Sequence, residues 1–253
     1  MSKVTSPLNR VFPGLPLLES QEKISLGFSQ REDGGMSFNR LPVSECTRNR
    51  ERFFQSLNLA LTQTVWAELV HGNHVETVTA TDAGRGAYSP QTAIPATDGL
   101  WTMAKHLVLC TTHADCIPLY FFAPEVHAVG VAHCGWRSIV AGLPENMIAA
   151  AHKELGVSLE SIRIGIGPGI RTDCFEVSEE ILDSFPPTAI IHRDGKWYVD
   201  LIATIQTKLA YIGIKPQQIE DSGICSRCTP VYSSYRRDRI AVEPAVAFIQ
   251  LND

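Results

Sequence analysis

Three stretches of the chain run from apolar residues straight into side chains that bind metals. They are Glu68-Leu-Val-His71-Gly-Asn-His74-Val, Thr111-Thr-His-Ala-Asp115-Cys116-Ile-Pro and Val129-Gly-Val-Ala-His133-Cys134-Gly-Trp136-Arg137. Two imidazoles and one thiolate suit zinc or a similar borderline metal. Three protein ligands also leave a fourth position open for a reactant. His71, Cys116 and His133 form the candidate triad, and residues so far apart in sequence meet only through folding. The competing reading makes each histidine a hydrogen-bonded interior residue and Cys116 a small apolar filler.

Neighbouring residues offer less. His74 reads as a supporting or surface residue, whereas His113 is placed to coordinate or to tune the site. Adjacent strand residues face opposite ways, so Cys134 reads as core. Cys225-Ser-Arg-Cys228 is a CxxC pair with no second pair near it in sequence, short of a zinc knuckle and without the βαβ start of a thioredoxin motif. Arg137, the Arg236-Arg237 pair and Arg50 could grip an anion bidentately, against the plainer reading of solvated surface arginines. Gly165-Ile-Gly-Pro-Gly lacks the spacing of a nucleotide loop and reads as a tight turn.

Buried strands must carry these residues. Continuous apolar runs predict strands at Val65–Val70, Val75–Thr79, Leu107–Thr111, Ile117–Phe122, Ala128–His133, Ile162–Ile166 and Val246–Leu251. Helical spacing predicts helices at Thr47–Ser56, Ser138–Leu155 (bent or restarted at Pro144), Ser178–Ser184 and Asp200–Ile212. The interleaving predicts an α/β or α+β class with a mixed sheet. Thr81–Thr97, rich in small and turn-forming residues, reads as a surface loop.

Composition narrows the partners. The 253 residues are 44% apolar and 19% charged, as a packed globular interior requires. A formal charge of −5 leaves no basic excess for neutralising nucleic-acid phosphates. Apolar stretches such as Ile117–Ala123 are far shorter than the roughly 20 residues of a membrane span. Residues 1–20 show no apolar stretch ahead of a small-residue cleavage site, so export is not expected. Seven irregularly spaced cysteines in a chain of this size read as reduced thiols. The expected location is the cytoplasm, with no membrane or nucleic-acid partner.

Several motifs occur in one order along the chain: Val70-His-Gly-Asn, Ala114-Asp-Cys-Ile-Pro, His133-Cys-Gly-Trp-Arg, Ile166-Gly-Pro-Gly-Ile with Cys174-Phe-Glu-Val, and Tyr235-Arg-Arg-Asp, preceded by Met36-Ser-Phe-Asn39-Arg and Arg48-Asn-Arg50. Together they resemble the YfiH-like laccase-domain family, also called polyphenol oxidases, peptidoglycan editing factors or purine nucleoside enzymes. The resemblance starts near Gly27, which divides the chain into a lead-in segment, 1–26, and one domain, 27–253. It implies a layered sandwich of mixed β-sheets flanked by helices, and a zinc site that maps onto His71, Cys116 and His133. Two positions depart from the family pattern: His113 stands where Thr is usual and Cys134 where Ala is usual. Both set further potential ligands beside the site, which widens the range of metals.

The family implies phosphorolysis of adenosine, inosine and methylthioadenosine, and deamination of adenosine, with a purine nucleoside and phosphate as partners. Asp115 and Arg137 are then candidate catalytic residues, and Asn39, Arg50 and Arg236 candidate substrate contacts. Three alternatives stand beside this. A copper-dependent phenol oxidase is one, although the chain contains no His-x-His pair of the kind multicopper oxidases repeat. A cysteine hydrolase with Cys116 as nucleophile and His133 as base is another. The last is a binding protein that has lost activity.

Overall fold

The continuous apolar runs become the centre of two stacked sheets. The computed structural model describes residues 15–19, 21 and 23–252. Its strands, in chain order, are β1 (Ile24–Phe28), β2 (Thr64–Trp66), β3 (Val75–Thr77), β4 (Gly99–Thr102), β5 (Val108–His113), β6 (Ile117–Ala123), β7 (Ala128–Cys134), β8 (Arg163–Ile166), β9 (Glu176–Val177), β10 (Ile190–Arg193), β11 (Lys196–Val199), β12 (Ile219–Asp221) and β13 (Ala245–Leu251). The helices are α1 (Pro16–Glu19), α2 (Val43–Ser56), α3 (Trp136–Val140), α4 (Leu143–Leu155), α5 (Leu201–Tyr211) and α6 (Tyr235–Asp238).

A mixed six-stranded sheet runs β12-β8-β6-β7-β4-β3, and a mixed four-stranded sheet runs β1-β13-β5-β2. Strand alternation decides what lies between them. On β6, Tyr120 and Phe122 face the four-stranded sheet and join Leu26, Leu109 and Ile249 in the inter-sheet core. Leu119 and Phe121 face the other way, against Leu143, Met147 and Ile205 of α4 and α5. On β13, Val246 and Phe248 turn outward to meet Phe53 and Phe54 of α2. The result is four layers in one domain: α2, the four-stranded sheet, the six-stranded sheet, then α3–α5. A three-stranded sheet, β10-β11-β9, stands apart.

Differences from the sequence expectations have local causes. The chain after Trp66 stays extended but leaves the sheet, since Glu68 N–H bonds the Ile94 carbonyl. One expected helix is two: Gly142, at φ 94°, ends the turn after α3, and Pro144 lies in the first turn of α4. Residues Glu179–Ser184 form a 3₁₀ helix. Asp200 caps α5 through a bond from Ala203 N–H, 2.8 Å. Strand β1 begins at Ile24 and Leu15 and Leu18 are buried, so packing starts inside the stretch read as lead-in. Residues 1–14 of that stretch lie outside the described residues. Among the described residues no helix is long and apolar enough to cross a membrane.

Arg50 requires a correction. It is 3% exposed, on the inner face of α2, and does not line the candidate cleft. Its guanidinium donates to the carbonyls of Met36 (2.6 Å), Gly86 (2.7 Å) and Ala87 (3.1 Å). It also lies 3.5 Å from the Trp66 ring centroid and 4.1 Å from that of Phe38. Paired carbonyls and aromatic faces satisfy this buried cation. It ties α2 to two loops, where the sequence reading had it holding substrate. Arg50→Met, which leaves those carbonyls without donors, should lower unfolding free energy by about 3 kcal/mol. Denaturant titration measures this; unchanged stability with a raised phosphate KM would restore the substrate role.

Candidate metal centre

The candidate donors arrive on three separate segments. Cys116 lies in the β5–β6 turn, where Asp115 takes φ 83°, and His133 is the last residue but one of β7. His71 comes from the extended segment beyond β2 and adopts φ 58°. A histidine in this left-handed region needs support, and Asp98 supplies it. The buried Asp98 carboxylate accepts N–H bonds from Gly72 (2.7 Å), His71 (3.0 Å) and Val70 (3.3 Å). Its own carbonyl accepts from His133 N–H at 2.7 Å. One residue thereby sets the backbone of two donors. Burial pushes the Asp98 carboxyl up, and the three N–H groups oppose that shift. Sequence reading missed Asp98, because nothing local distinguishes it from a turn aspartate.

The ligand atoms of His71, Cys116 and His133 all lie within 4.8 Å of one another. Among the described residues neither nitrogen of the buried His133 ring has a hydrogen-bond partner; the Thr112 backbone is close enough to favour the protonated ring but falls short of bonding geometry. Such an orphaned imidazole is costly unless something binds it. Gly135 keeps the space open: a Cβ there would sit 3.0 Å from both Cys116 Sγ and His71 Cδ2. Orphaned nitrogens, this clearance and the two-imidazole, one-thiol donor set all fit a borderline metal.

Protonation agrees. Burial, then His113 and His71, hold His133 well below the ordinary imidazole range, so the lone pair of one ring nitrogen is available. His113 is driven down to about 3, chiefly by burial. Both His113 nitrogens are engaged, with Thr111 Oγ1 at 2.8 Å and the Cys116 carbonyl at 3.0 Å. It therefore stacks 4.7 Å from His133 and braces the Cys116 turn without coordinating. Burial, Asp115 and Asp98 push the Cys116 thiol up to about 12, which a cation would reverse. An activated nucleophilic cysteine has the opposite environment. Cys134 is fully buried in the helix-side core, and His74 pairs at the surface with Glu76, 3.2 Å.

The three donors line a cleft of about 490 Å³. Asn39, Asp115, Arg137 and Arg236 line it too, as does Arg40, which sequence reading passed over. Each cleft arginine rests on a cleft ring: Arg137 on Trp136 (4.3 Å), Arg236 on Phe175 (5.6 Å) and Arg40 on Tyr235 (5.9 Å). The Asp115 carboxylate accepts from Ser226 Oγ and from the Arg236 backbone N–H, both at 2.6 Å. It pins α6 and the 226 loop against the Cys116 turn.

A family model described as multi-copper polyphenol oxidoreductase laccase matches residues 42–252. The chain belongs to this laccase-like family. It is 33% identical over 215 residues to purine nucleoside phosphorylase YlmD of Geobacillus stearothermophilus, covering 81% of this chain and 78% of that one. A protein named adenosine deaminase RL5, from an unknown prokaryotic organism, is 29% identical over 156 residues, 58% of this chain and 59% of its own. The crystal structure of Bacillus licheniformis YfiH superposes with a TM-score of 0.88 at 28% identity, covering 92% and 95% of the two chains. The laccase-like name evokes several coppers, whereas here one His/Cys/His trio lines the cleft.

Asp98→Ala should weaken metal binding about 10- to 100-fold by freeing the His71 loop, measured by chelator competition; unchanged affinity would mean that the loop holds itself. The buried histidines also set an acid limit. With folded values depressed, the unfolded chain takes up protons first, so their contribution is complete above about 6.5 and is lost as pH falls toward about 3. Between pH 6 and 4, metal-free His113→Gln should lose stability less steeply than the parent, by about 1 kcal/mol per pH unit. Parallel slopes in denaturant titrations would contradict a neutral, buried His113.

Proposed function

We propose that this chain is a metal-dependent purine nucleoside enzyme of the cytoplasm. It cleaves adenosine, inosine or methylthioadenosine with phosphate, and deaminates adenosine with water. One observation carries the reading: the three donors share a single cleft with aromatic rings and three arginines. The names of its relatives, purine nucleoside phosphorylase and adenosine deaminase, support it.

In phosphorolysis a phosphate oxygen bonds to ribose C1′ while the bond from C1′ to the purine breaks. The electron pair leaves with the base, which takes up a proton. Arg137 is the leading phosphate contact, since it lines the cleft with no hydrogen bond or ion pair to described residues. Its planar guanidinium suits bidentate capture, and the Trp136 face beneath restricts its motion. Arg236 is half committed through a bond to the Glu176 carbonyl, 3.0 Å, and completes the cradle. Asp115 orients that wall, and Asn39 offers an amide for ribose or base. A zinc ion held by His71, Cys116 and His133 would supply Lewis acidity, stabilising negative charge as it develops on a substrate or solvent atom. Copper binds the same donor types, so bound copper alone would not make the chain a phenol oxidase.

Incubation of the purified chain with adenosine, followed by chromatography, separates the outcomes. Without phosphate, inosine is expected; with phosphate, free base and ribose 1-phosphate. His71→Ala should abolish both along with metal content. Arg137→Ala should raise the phosphate KM about 10-fold or more and spare deamination. Absence of both products, with metal content unchanged in His71→Ala, would sink the proposal. Chelator-resistant activity lost on thiol alkylation would do the same, pointing to a cysteine hydrolase.

A further inference from the structure

The CxxC pair that lacked partners in sequence has one in space. The ligand sulfurs of Cys174, Cys225 and Cys228 all lie within 4.8 Å of one another. Cys174 ends a 3₁₀ turn, Thr172–Cys174, and is buried, whereas Cys225 is half-buried and Cys228 exposed. Cys174 Sγ and Cys228 Sγ are 3.2 Å apart. We propose that these three cysteines form a second metal site, for a thiophilic ion such as Zn²⁺, which braces the wall of the cleft.

The cage is built before any ion arrives. Ser226 N–H bonds the Gly169 carbonyl at 3.1 Å, Gly169 N–H bonds the Ile224 carbonyl at 3.2 Å, and Arg171 Nε bonds Ile224 again at 3.0 Å. These bonds lock the CxxC loop to the segment that carries Cys174. A turn closed by Thr229 N–H on the Cys225 carbonyl, 2.9 Å, brings Cys228 back beside Cys225. Zinc–sulfur bonds of about 2.3 Å hold tetrahedral sulfurs roughly 3.8 Å apart, so binding needs the 3.2 Å Cys174–Cys228 separation to widen slightly, and Cys228 is the exposed member.

Charge favours the same assignment. Three thiolates and Zn²⁺ leave a net negative centre, and Arg227 Nη1 already lies 3.4 Å from Cys174 Sγ. Because Cys228 is exposed, a fourth position would be open to solvent. The site is separate from the His71 trio but mechanically joined to it. Ser226, inside the CxxC loop, donates to Asp115 beside Cys116, and Arg237 of α6 donates to the Ser226 and Arg227 carbonyls, both at 3.1 Å. An ion here would fix the loop that seats Arg236. None of this depends on which reaction the cleft performs.

Metal analysis of the full chain, reduced and reloaded with Zn²⁺, tests the assignment. Two equivalents are expected in the parent. Cys225→Ser/Cys228→Ser and Cys116→Ala should each retain one. Cobalt loading separates the two sites, because thiolate-to-metal charge-transfer absorption should fall far more in Cys225→Ser/Cys228→Ser than in Cys116→Ala. The parent itself covers a variant that fails to fold: zinc should slow alkylation of Cys225 and Cys228 at least tenfold, read by mass spectrometry. A single equivalent in the parent with unchanged alkylation would overturn the site. So would a Cys174–Cys228 disulfide persisting in the zinc-loaded, reduced protein.

Discussion

Much of the candidate centre hangs on the buried carboxylate of Asp98. It gathers three consecutive N–H groups of the His71 loop, while its main chain accepts from His133. A left-handed histidine backbone would relax without those bonds. Burying a carboxylate is costly, and charge-assisted N–H bonds offset much of that cost. A bound cation near Cys116, whose thiolate Asp98 itself disfavours, would offset more. Asp98 therefore works against the metal-free thiolate and with the metal-bound one.

The four-layer architecture places this centre where two sheets end. Strands β5, β6 and β7 are buried on both faces, so the turns at their ends move little, and donors on rigid elements hold their geometry. The turn after β7 must also let Cys116 and His71 approach, and only a residue without Cβ allows it at Gly135. The cleft forms because α6 and the cysteine loop close over these strand ends, held by the Asp115 carboxylate.

Charge is handled locally. At −5 overall, the chain does not draw anions to itself by its net field. Three cleft arginines, each resting on an aromatic ring, concentrate positive charge inside the cleft. Arg50 has the same aromatic companionship but spends its donors on three carbonyls inside the protein. The two uses of arginine look alike in sequence and differ only in what the fold places beside them.

The sequence by itself determined the α/β or α+β class with a mixed sheet, the long strands β5, β6, β7 and β13, and the capped helix α5. These follow from apolar runs, spacing and capping residues, which act over short distances along the chain. It also named the donor types His71, Cys116 and His133, because ligand chemistry belongs to the residue. Short strands such as β4 and β9 were illegible, since two to four residues carry too little pattern. Asp98, Arg40, the burial of Arg50 and the meeting of Cys174 with Cys225 and Cys228 were decided only by tertiary structure. Each depends on contacts between segments far apart in sequence, where no local periodicity records which side chains will face one another.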